Sequence, residues 1–410
     1  MKKIELLSPI NNYESLYAAI ESGANSIYFG VEQLNMRAVN SNLKIKDIKK
    51  ISNICKKNKI KKYLTLNTII YDHDILLVKR ILKKCKKYDI DGIIAMDNFV
   101  MNYSNKLNLP IHISTQLNIT NIESLKFYSK YSDVIVLSRE LNLNQIKNIC
   151  SLIKKNNIKG FSKKKIKIEI FCHGSLCMAV SGKCYLSLHT YNSSANRGAC
   201  KQNCRREYLV KDYKSNLSYK ISNEYIMSSK DLCTINFLDK IIDTGINILK
   251  IEGRGKSPEY VSVITKCYKE AIESIENKSY TQDKINDWIY KLSSVYNRGF
   301  WSGYYLGQRI GEWTQNSGSL SLKKKIYIGK VIKFYNKIKV MIVLIESYNL
   351  EIFDNLYIIG NKIGVKETKV KKIINKKKEE VSEVKKGEIC SIKVQFKAYT
   401  NNKIYKIINN

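Results

Sequence analysis

The 410-residue sequence has few prolines, few acidic residues and no long apolar run. Only three prolines occur and 44% of the residues are hydrophobic, which excludes collagen-like repeats, a disordered chain and a disulfide mini-protein. No segment approaches the roughly 18–20 apolar residues that span a bilayer, and the N-terminus lacks the apolar core of a signal peptide. We therefore expect a soluble, cytoplasmic protein with no membrane partner.

Acidic residues are outnumbered, since 36 Asp and Glu stand against 71 Lys and Arg, a formal net charge of +35. Such an excess favours a polyanionic partner, because each neutralised phosphate releases counterions. An AT-rich genome would produce the same excess, and the chain is crowded with Lys, Asn, Ile and Tyr. The charge supports an RNA partner without establishing one.

The first 255 residues alternate short apolar runs with amphipathic helical segments. This alternation predicts an α/β fold with a parallel sheet, and eight strands are the number that closes a TIM-like (β/α)8 barrel. An open doubly wound sheet is the alternative, but the turn after the first strand, SPINN, lacks the expected glycines. The predicted strands are 4–7, 26–30, 63–67, 92–96, 111–115, 133–137, 166–171 and 247–251.

The remaining segments predict the rest of the architecture. Two further helices are expected at 258–276 and 282–296. From residue 323 the pattern changes to short alternating runs, which predict a small C-terminal all-β barrel over 323–410, separate from a barrel domain over 1–322. About 75 residues separate predicted strands seven and eight, and this insertion follows a strand, so it opens on the C-terminal face of the barrel, where active sites are built.

Six of the eleven cysteines lie within this Cys-rich segment, residues 172–233. In a cytoplasmic protein such a cluster indicates a metal or redox site before a disulfide framework. Structural zinc sites have two close cysteine pairs, and only Cys200 and Cys204 are so spaced, which favours an iron–sulfur cluster. Zinc and reduced, unliganded thiols are the alternatives. The candidate ligands from the residues alone are Cys177, Cys184, Cys200, Cys204 and Cys233.

Other polar residues follow the predicted strands and are expected to converge on the C-terminal opening of the barrel, its mouth. Arg139 and Arg254 suit a carboxylate or phosphate, since guanidinium groups bind such anions in a bidentate manner. Glu252 and His173 are acid–base candidates by their placement. For each of these, a structural salt bridge or core hydrogen bond is the alternative. The remaining strand-end candidates are Arg37, Asn67, Asp97, His112, Gln116 and Glu140.

Several long motifs, in order along the chain, resemble those of the collagenase-like peptidase family U32. The resemblance covers essentially the whole sequence. One departure is Arg205-Arg206, where many relatives have Arg followed by Trp. The motifs are ELLSP (5–9), ANSIYFG (24–30), EIFCHGSLCMAVSGKCYLS (169–187), NRGACKQNCR (196–205), SKDLC (229–233) and KIEGRGKSPEY (250–260).

The resemblance implies oxygen-independent hydroxylation more than proteolysis. One branch hydroxylates the wobble uridine of tRNA with prephenate as hydroxyl source, another modifies a cytidine of large-subunit ribosomal RNA, and a shorter pair acts on ubiquinone precursors. The C-terminal domain resembles the small barrel of elongation factors, which fits the tRNA branch. Prephenate is a dicarboxylate, which suits two arginines. By position, the 4Fe-4S ligands would be Cys177, Cys184, Cys200 and Cys233, with Cys204 as an alternative ligand.

Two other function classes remain as alternatives, a peptidase and a non-enzymatic protein. A peptidase would need a catalytic constellation, but the sequence has no His-Glu-x-x-His and no Gly-x-Ser-x-Gly motif. Cys172 and His173 are adjacent on a strand, so they point to opposite faces and form a poor nucleophile–base pair. The third class is a non-enzymatic RNA-binding protein with a structural cluster or zinc. The preferred prediction is a tRNA wobble-uridine hydroxylase.

Overall fold

The computed structural model describes residues 3–38, 42–208, 213–215, 227–315 and 318–410. Ten strands belong to the sheet that is built from the first three quarters of the chain. Their bounds are β1 Glu5–Pro9, β2 Ser26–Phe29, β3 Lys61–Leu66, β4 Gly92–Ala95, β5 Ile111–Ile113, β6 Val134–Val136, β7 Lys167–Ser175, β8 Asp231–Cys233, β9 Ile248–Ile251 and β10 Phe300–Trp301.

Eight of these strands close into a parallel barrel, as predicted. Strands β1 to β7 pair in chain order, and β9 then pairs in parallel with both β7 and β1. The closure is visible in the register, where Ile248 is opposite Glu169 on one side and Glu5 on the other. The doubly wound alternative is wrong, because an open sheet has two unpaired edges and this one has none between β7 and β1.

Helices surround the barrel because their apolar residues recur at helical spacing on one face. In α2, for example, Ile48, Ile51 and Cys55 are buried, whereas lysines occupy the outer face. The helices are α1 Tyr13–Glu21, α2 Asp47–Lys57, α3 Ile75–Lys87, α4 Asn98–Lys106, α5 Ile122–Ser129, α6 Leu143–Lys155, α7 Leu186–Tyr191, α8 Leu238–Asp243, α9 Pro258–Glu276 and α10 Gln282–Ser293. None of the helices in the described ranges is long and apolar enough to cross a bilayer.

The insertion between β7 and β9 contains a strand that the sequence pattern did not predict. β8 pairs antiparallel to the end of β7, with Cys233 opposite His173, and β10 adds in parallel to β8. The Cys-rich segment therefore leaves the barrel at the end of β7 and returns along that same strand. The insertion lies on the C-terminal face of the barrel, where the sequence places it.

The C-terminal part is all-β, as predicted. An eight-stranded antiparallel sheet and a two-stranded sheet share one apolar core that includes Ile328, Val343 and Ile404. The strands are β11 Lys323–Tyr335, β12 Val340–Ile345, β13 Leu350–Glu351, β14 Asn355–Gly360, β15 Gly364–Lys369, β16 Ile373–Asn375, β17 Glu380–Val381, β18 Glu383–Val384, β19 Ile389–Lys393 and β20 Lys403–Asn409.

Candidate active site

A cavity of about 730 Å³ opens at the C-terminal end of the barrel strands. Inward-facing residues of the strands form its floor, among them Tyr28 of β2, Thr65 of β3, Phe171 of β7 and Lys250 of β9. The Cys-rich segment forms part of its wall. This is the face on which (β/α)8 barrels carry their active sites.

Arg139 and Arg254 both line this cavity, as the sequence predicted. Arg254 is buried and donates to Asn35 Oδ1 at 2.7 Å and to Thr65 Oγ1 at 2.8 Å. Arg139 donates to the Ser175 carbonyl at 3.0 Å, and its guanidinium carbon lies 3.8 Å from the centre of the Phe171 ring. Within the described part of the chain neither arginine pairs with a carboxylate. Both positive charges are therefore available to an anion.

Glu252 also lines the cavity, where its Oε1 lies 3.4 Å from Nη2 of Arg37. A third cation, Lys256, stands 3.2 Å from the centre of the Tyr296 ring and forms no carboxylate pair among the described residues. Burial lowers the pKa of Lys256 to about 8, so the amine keeps its proton at neutral pH. The cavity thus contains one paired carboxylate beside several unpaired cations.

A buried polar network supports the floor from inside the barrel. Nζ of Lys250 lies 2.7 Å from Glu169 Oε1, and the other oxygen of Glu169 lies 2.8 Å from Nδ1 of His112. Burial alone would raise the pKa of Glu169, but Lys250 and His112 outweigh that effect and hold it at about 2. The ammonium of Lys250 also faces the Tyr28 ring at 4.6 Å. Lys250 is therefore fixed in position at the cavity wall, while Glu169 and His112 lie behind it.

His173 does not lie in the cavity, so its prediction as an acid–base residue is corrected. It is buried, and its Nδ1 lies 3.3 Å from the Tyr268 hydroxyl, on the side of the barrel that faces α9. Burial lowers its pKa to about 4, so it is neutral at pH 7. The physical reason is the irregular register between Phe171 and His173, which shifts the inward–outward alternation of β7.

Four thiols are neighbours at the mouth: Cys177, Cys184, Cys200 and Cys204. Burial raises the pKa of Cys184, and the thiols of Cys177 and Cys200 raise it further. The pKa of Cys204 is also raised by burial and by the other three thiols, while Arg205 opposes this. Cys177, Cys200 and Cys204 line the cavity itself. Across the described residues, no three His, Cys, Asp or Glu side chains already stand at metal-coordination geometry.

Cys233, predicted as the fourth ligand, lies apart from this group. It is 6% exposed, and it interacts with Cys172, Tyr268 and Cys267 in the core. It does not line the cavity. Because β8 pairs antiparallel with β7, the Cys233 side chain points towards α9. In the structure it is Cys204, the alternative ligand, that neighbours Cys177, Cys184 and Cys200.

Close backbone contacts hold the thiol-bearing segment against the barrel. Gly198 has a φ of +89°, and a Cβ there would lie 2.2 Å from the Asn35 carbonyl oxygen. Arg205 donates to the carbonyl of Leu176 at 2.7 Å and to that of Ser229 at 2.9 Å, so it joins the middle of the Cys-rich segment to both of its ends. Asn35 is also the partner of Arg254. The thiols and the cationic floor are therefore linked through one asparagine.

The peptidase family U32 model matches residues 11–315 of this chain. The chain belongs to peptidase family U32. A relative named collagenase, from Porphyromonas gingivalis, is 49% identical over 403 residues, 98% of this chain and 97% of the relative. The tRNA hydroxylation protein P1 of Bacillus subtilis is 31% identical over 75% of this chain and 72% of its own length. The 23S rRNA 5-hydroxycytidine C2501 synthase of Escherichia coli is 34% identical over 67% of this chain and 40% of its own length.

Sequence reasoning missed several cavity residues of this U32 protein. Lys250, Lys256, Arg205 and Arg298 all line the cavity and were not among the predicted site residues. The alternation of side chains along β9 could have indicated Lys250, because Lys250 and Glu252 are two residues apart and therefore lie on the same face of the strand. Of the other strand-end candidates, Arg37, Asn67 and Gln116 line the cavity. Asp97 instead caps α4, His112 lies inside the barrel, and Glu140 bonds Ser138.

Proposed function

We propose that this U32 protein is an RNA-modifying enzyme that hydroxylates the wobble uridine of tRNA without oxygen, with prephenate as hydroxyl donor and a 4Fe-4S cluster. Two relatives with RNA-hydroxylation names support the RNA substrate class. The observation that carries the proposal is the cavity itself, where unpaired cations stand beside four neighbouring thiols.

The cationic floor suits a co-substrate with two carboxylates. Arg139, Arg254 and Lys256 are unpaired with carboxylates among the described residues, and a dianion in the cavity would neutralise two of these charges. Guanidinium groups bind carboxylates with two parallel hydrogen bonds, and the Phe171 ring fixes the plane of Arg139. The cavity volume of about 730 Å³ accommodates a small dicarboxylate together with one nucleobase.

The chemistry balances without dioxygen. Replacing the C5–H of uridine by C5–OH is a two-electron oxidation, and a co-substrate R–OH that becomes R–H supplies the oxygen, accepts both electrons and takes the displaced hydrogen. The chain's own contribution is to bind and orient. Arg139, Arg254 and Lys256 hold the co-substrate against a floor that includes Lys250. Glu252, oriented by Arg37, is the carboxylate available to move a proton.

The donor set at the mouth fits an iron–sulfur cluster. Four thiols neighbour one another, and thiolates are the ligands that such clusters require. We assign Cys177, Cys184, Cys200 and Cys204 as the residues that would hold it. When bound, a cluster supplies one-electron transfer beside the cavity. The nearby Arg205 and Arg37 would offset the negative charge of the thiolates.

Mass spectrometry of tRNA nucleosides tests the proposed reaction. A deletion strain should lose 5-hydroxyuridine and its derivatives, and the wild-type gene should restore them. A gene with Arg254→Met should not restore them, because the variant lacks a charge that the dicarboxylate needs. A gene with Lys377→Met serves as the matched control, since this lysine is exposed and lies outside the cavity. Unchanged hydroxyuridine in the deletion strain contradicts the proposal.

Peptide hydrolysis is the second candidate, because the relative named collagenase is similar over nearly the whole chain. Cys172 and His173, the one nucleophile–base pair that the sequence suggested, do not support it. Sγ of Cys172 donates to the Lys250 carbonyl at 3.4 Å, and burial raises its pKa well above the ordinary value. Gelatin cleavage by the purified protein that survives protease inhibitors and disappears in Cys172→Ala would favour this candidate over hydroxylation.

A further inference from the structure

A second cavity, of about 550 Å³, lies between the barrel and the C-terminal sheet. We call it the interdomain cleft. The barrel contributes Asn12, Glu14 and Pro258 to it, and the C-terminal sheet contributes the turn between β14 and β15 and residues 399–403 with Tyr405. The cleft is separate from the active-site cavity, and nothing in the function proposed above uses it.

The topology places the cleft on the same face of the barrel as the active-site cavity. α1 begins directly after β1, and α9 begins directly after β9, so both helix starts lie at the C-terminal ends of the strands. Gly255, Lys256 and Ser257 line the active-site cavity, and Pro258, the next residue, lines the cleft. A chain-like ligand that enters the cavity can therefore continue into the cleft without leaving this face.

Lysine and tyrosine side chains define the chemistry of the cleft. Lys362 lies 5.3 Å from the centre of the Tyr399 ring, and Lys325 lies 4.8 Å from that of Tyr405. Lys325 is also paired with Glu259 at 2.7 Å, whereas Lys362 and Lys403 pair with no carboxylate among the described residues. Glu14 is the acidic residue of the lining. Two unpaired ammonium groups and two phenol rings thus face one groove.

Direct contacts hold the two sides of the cleft in a fixed position relative to each other. Gly364 of β15 packs so closely on α1 that a Cβ there would lie 2.5 Å from the Ala18 nitrogen. Lys366 pairs with Glu21 at 2.8 Å across the same contact. Together with the Lys325–Glu259 pair, these contacts fix the C-terminal sheet against the barrel. The cleft is therefore a preformed groove.

We propose that the interdomain cleft binds the sugar–phosphate backbone of the RNA substrate next to the nucleotide whose base enters the active-site cavity. This inference rests on the proposed function, since it assumes that the base belongs to an RNA. Grooves that combine cations with aromatic rings are typical of single-stranded nucleic acid sites. Residues 323–410 contain 21 lysines and eight acidic residues, which adds a long-range attraction for phosphates.

Equilibrium binding of a synthetic RNA hairpin with a uridine-containing loop to the full-length protein tests the cleft. The cleft variant carries Lys362→Glu and Lys403→Glu. The control variant carries Lys376→Glu and Lys377→Glu, an equal charge change in the turn after β16, at the sheet edge opposite to β15. Fluorescence anisotropy at several salt concentrations gives the affinity and its salt dependence, and thermal melting verifies that both variants fold.

The cleft variant should bind the hairpin about tenfold more weakly, and its slope of log affinity against log salt should fall by about 1.4, about 0.7 for each lost single-strand phosphate contact. The control variant should stay within about threefold of the wild type. Equal losses in the two variants, or no loss in either, overturn the inference.

The assay needs no turnover, so it is independent of the hydroxylation test. Loss of hairpin binding in the cleft variant alone, in a protein whose deletion leaves hydroxyuridine unchanged, would contradict the proposed reaction and support the cleft. Normal hairpin binding by the cleft variant of a protein that does hydroxylate tRNA would overturn the cleft and leave the reaction standing.

Discussion

Lys250 illustrates how a single charged residue is positioned by a core. Its side chain is 5% exposed, and the paired Glu169 is fully buried. Replacing a buried ion pair with apolar residues is often neutral or stabilising, so such a pair is weak evidence of a role in stability. We interpret this one by its position, because Lys250 faces the cavity whereas Glu169 and His112 hold it from behind. Glu169 is therefore a positioning residue in this interpretation.

Cys204 and Cys233 differ in a way that ligand replacement can measure. Cys204→Ala should lower iron and sulfide per chain after anaerobic purification and remove the visible absorption, because it removes one of four neighbouring thiols. Cys233→Ala should keep the cluster and lower the free energy of unfolding by about 1–2 kcal/mol through a small core cavity. Iron and sulfide analysis with denaturant unfolding tests both. Loss of the cluster in Cys233→Ala but not in Cys204→Ala would restore the ligand set implied by the family resemblance.

Lys256 should make co-substrate binding depend on pH. Burial lowers its pKa to about 8, so the amine loses its proton and charge as the pH rises through that value. The affinity for prephenate should be highest below pH 8 and fall by about tenfold above it, the loss of one charge-assisted hydrogen bond. Calorimetric titration between pH 7 and 9 measures this. Lys256→Arg should flatten the curve, and an unchanged curve in that variant contradicts the assignment.

At the scale of elements, the thiol-bearing segment depends on close approach to the barrel. The 3-10 turn Ala195–Arg197 is held by Arg197, which pairs with Asp74 at 2.6 Å before α3. Gly198 follows in the left-handed region, where its hydrogen side chain faces the Asn35 carbonyl. Two residues later the chain reaches Cys200. The position of this thiol is therefore set by backbone contacts rather than by its own side chain.

Gly198→Ala should displace that segment and lower cluster occupancy. The new Cβ would lie 2.2 Å from backbone, a distance that no side-chain movement relieves, and the positive φ adds about 1–2 kcal/mol of strain. Gly307→Ala is the matched control, since its φ is +93° and its Cβ would meet nothing within 4 Å. Iron content per chain should fall in the first variant and not in the second. Equal iron in both variants contradicts this prediction.

The whole molecule joins its barrel and its C-terminal sheet through α1 and α9. The contact combines the close packing of Gly364 on α1 with the Lys366–Glu21 and Lys325–Glu259 pairs. Ion pairs near a surface contribute little, about 0–1 kcal/mol each, so the close packing stabilises the contact more than the pairs do. The two units have separate apolar cores, and their coupling depends on this contact.

Gly364→Ala should therefore uncouple the two units. A Cβ at this position would lie 2.5 Å from the Ala18 nitrogen, so the sheet must move away from α1. We expect calorimetric unfolding to split into two transitions, with the C-terminal one lowered by several degrees, as about 1–2 kcal/mol implies for a domain of this size. Gly387→Ala, with a φ of +92° and open space around it, should keep a single transition, because it adds backbone strain without a clash across the contact. A single transition in both variants would show that the coupling of the two units does not depend on the close packing at Gly364.

Local patterns were enough to predict the architecture. The eight barrel strands and the helices α9 and α10 follow from runs of apolar residues and from helical spacing, and both are properties of neighbouring residues. The Cys-rich segment and its position on the C-terminal face followed from the length of one connection. Arg139, Arg254 and Glu252 were correctly expected in the cavity because they follow strands whose ends meet there.

The grouping of side chains from distant parts of the chain was decided only by tertiary structure. Which thiols meet depends on the antiparallel return of β8, which turns Cys233 towards α9 and leaves Cys204 with the others. His173 was misplaced because one register irregularity in β7 changes which face a residue occupies. The Lys250–Glu169–His112 network exists because the barrel closes β9 against β7. These distances are set by pairing across long sequence separations, on which the local pattern of apolar and polar residues carries no information.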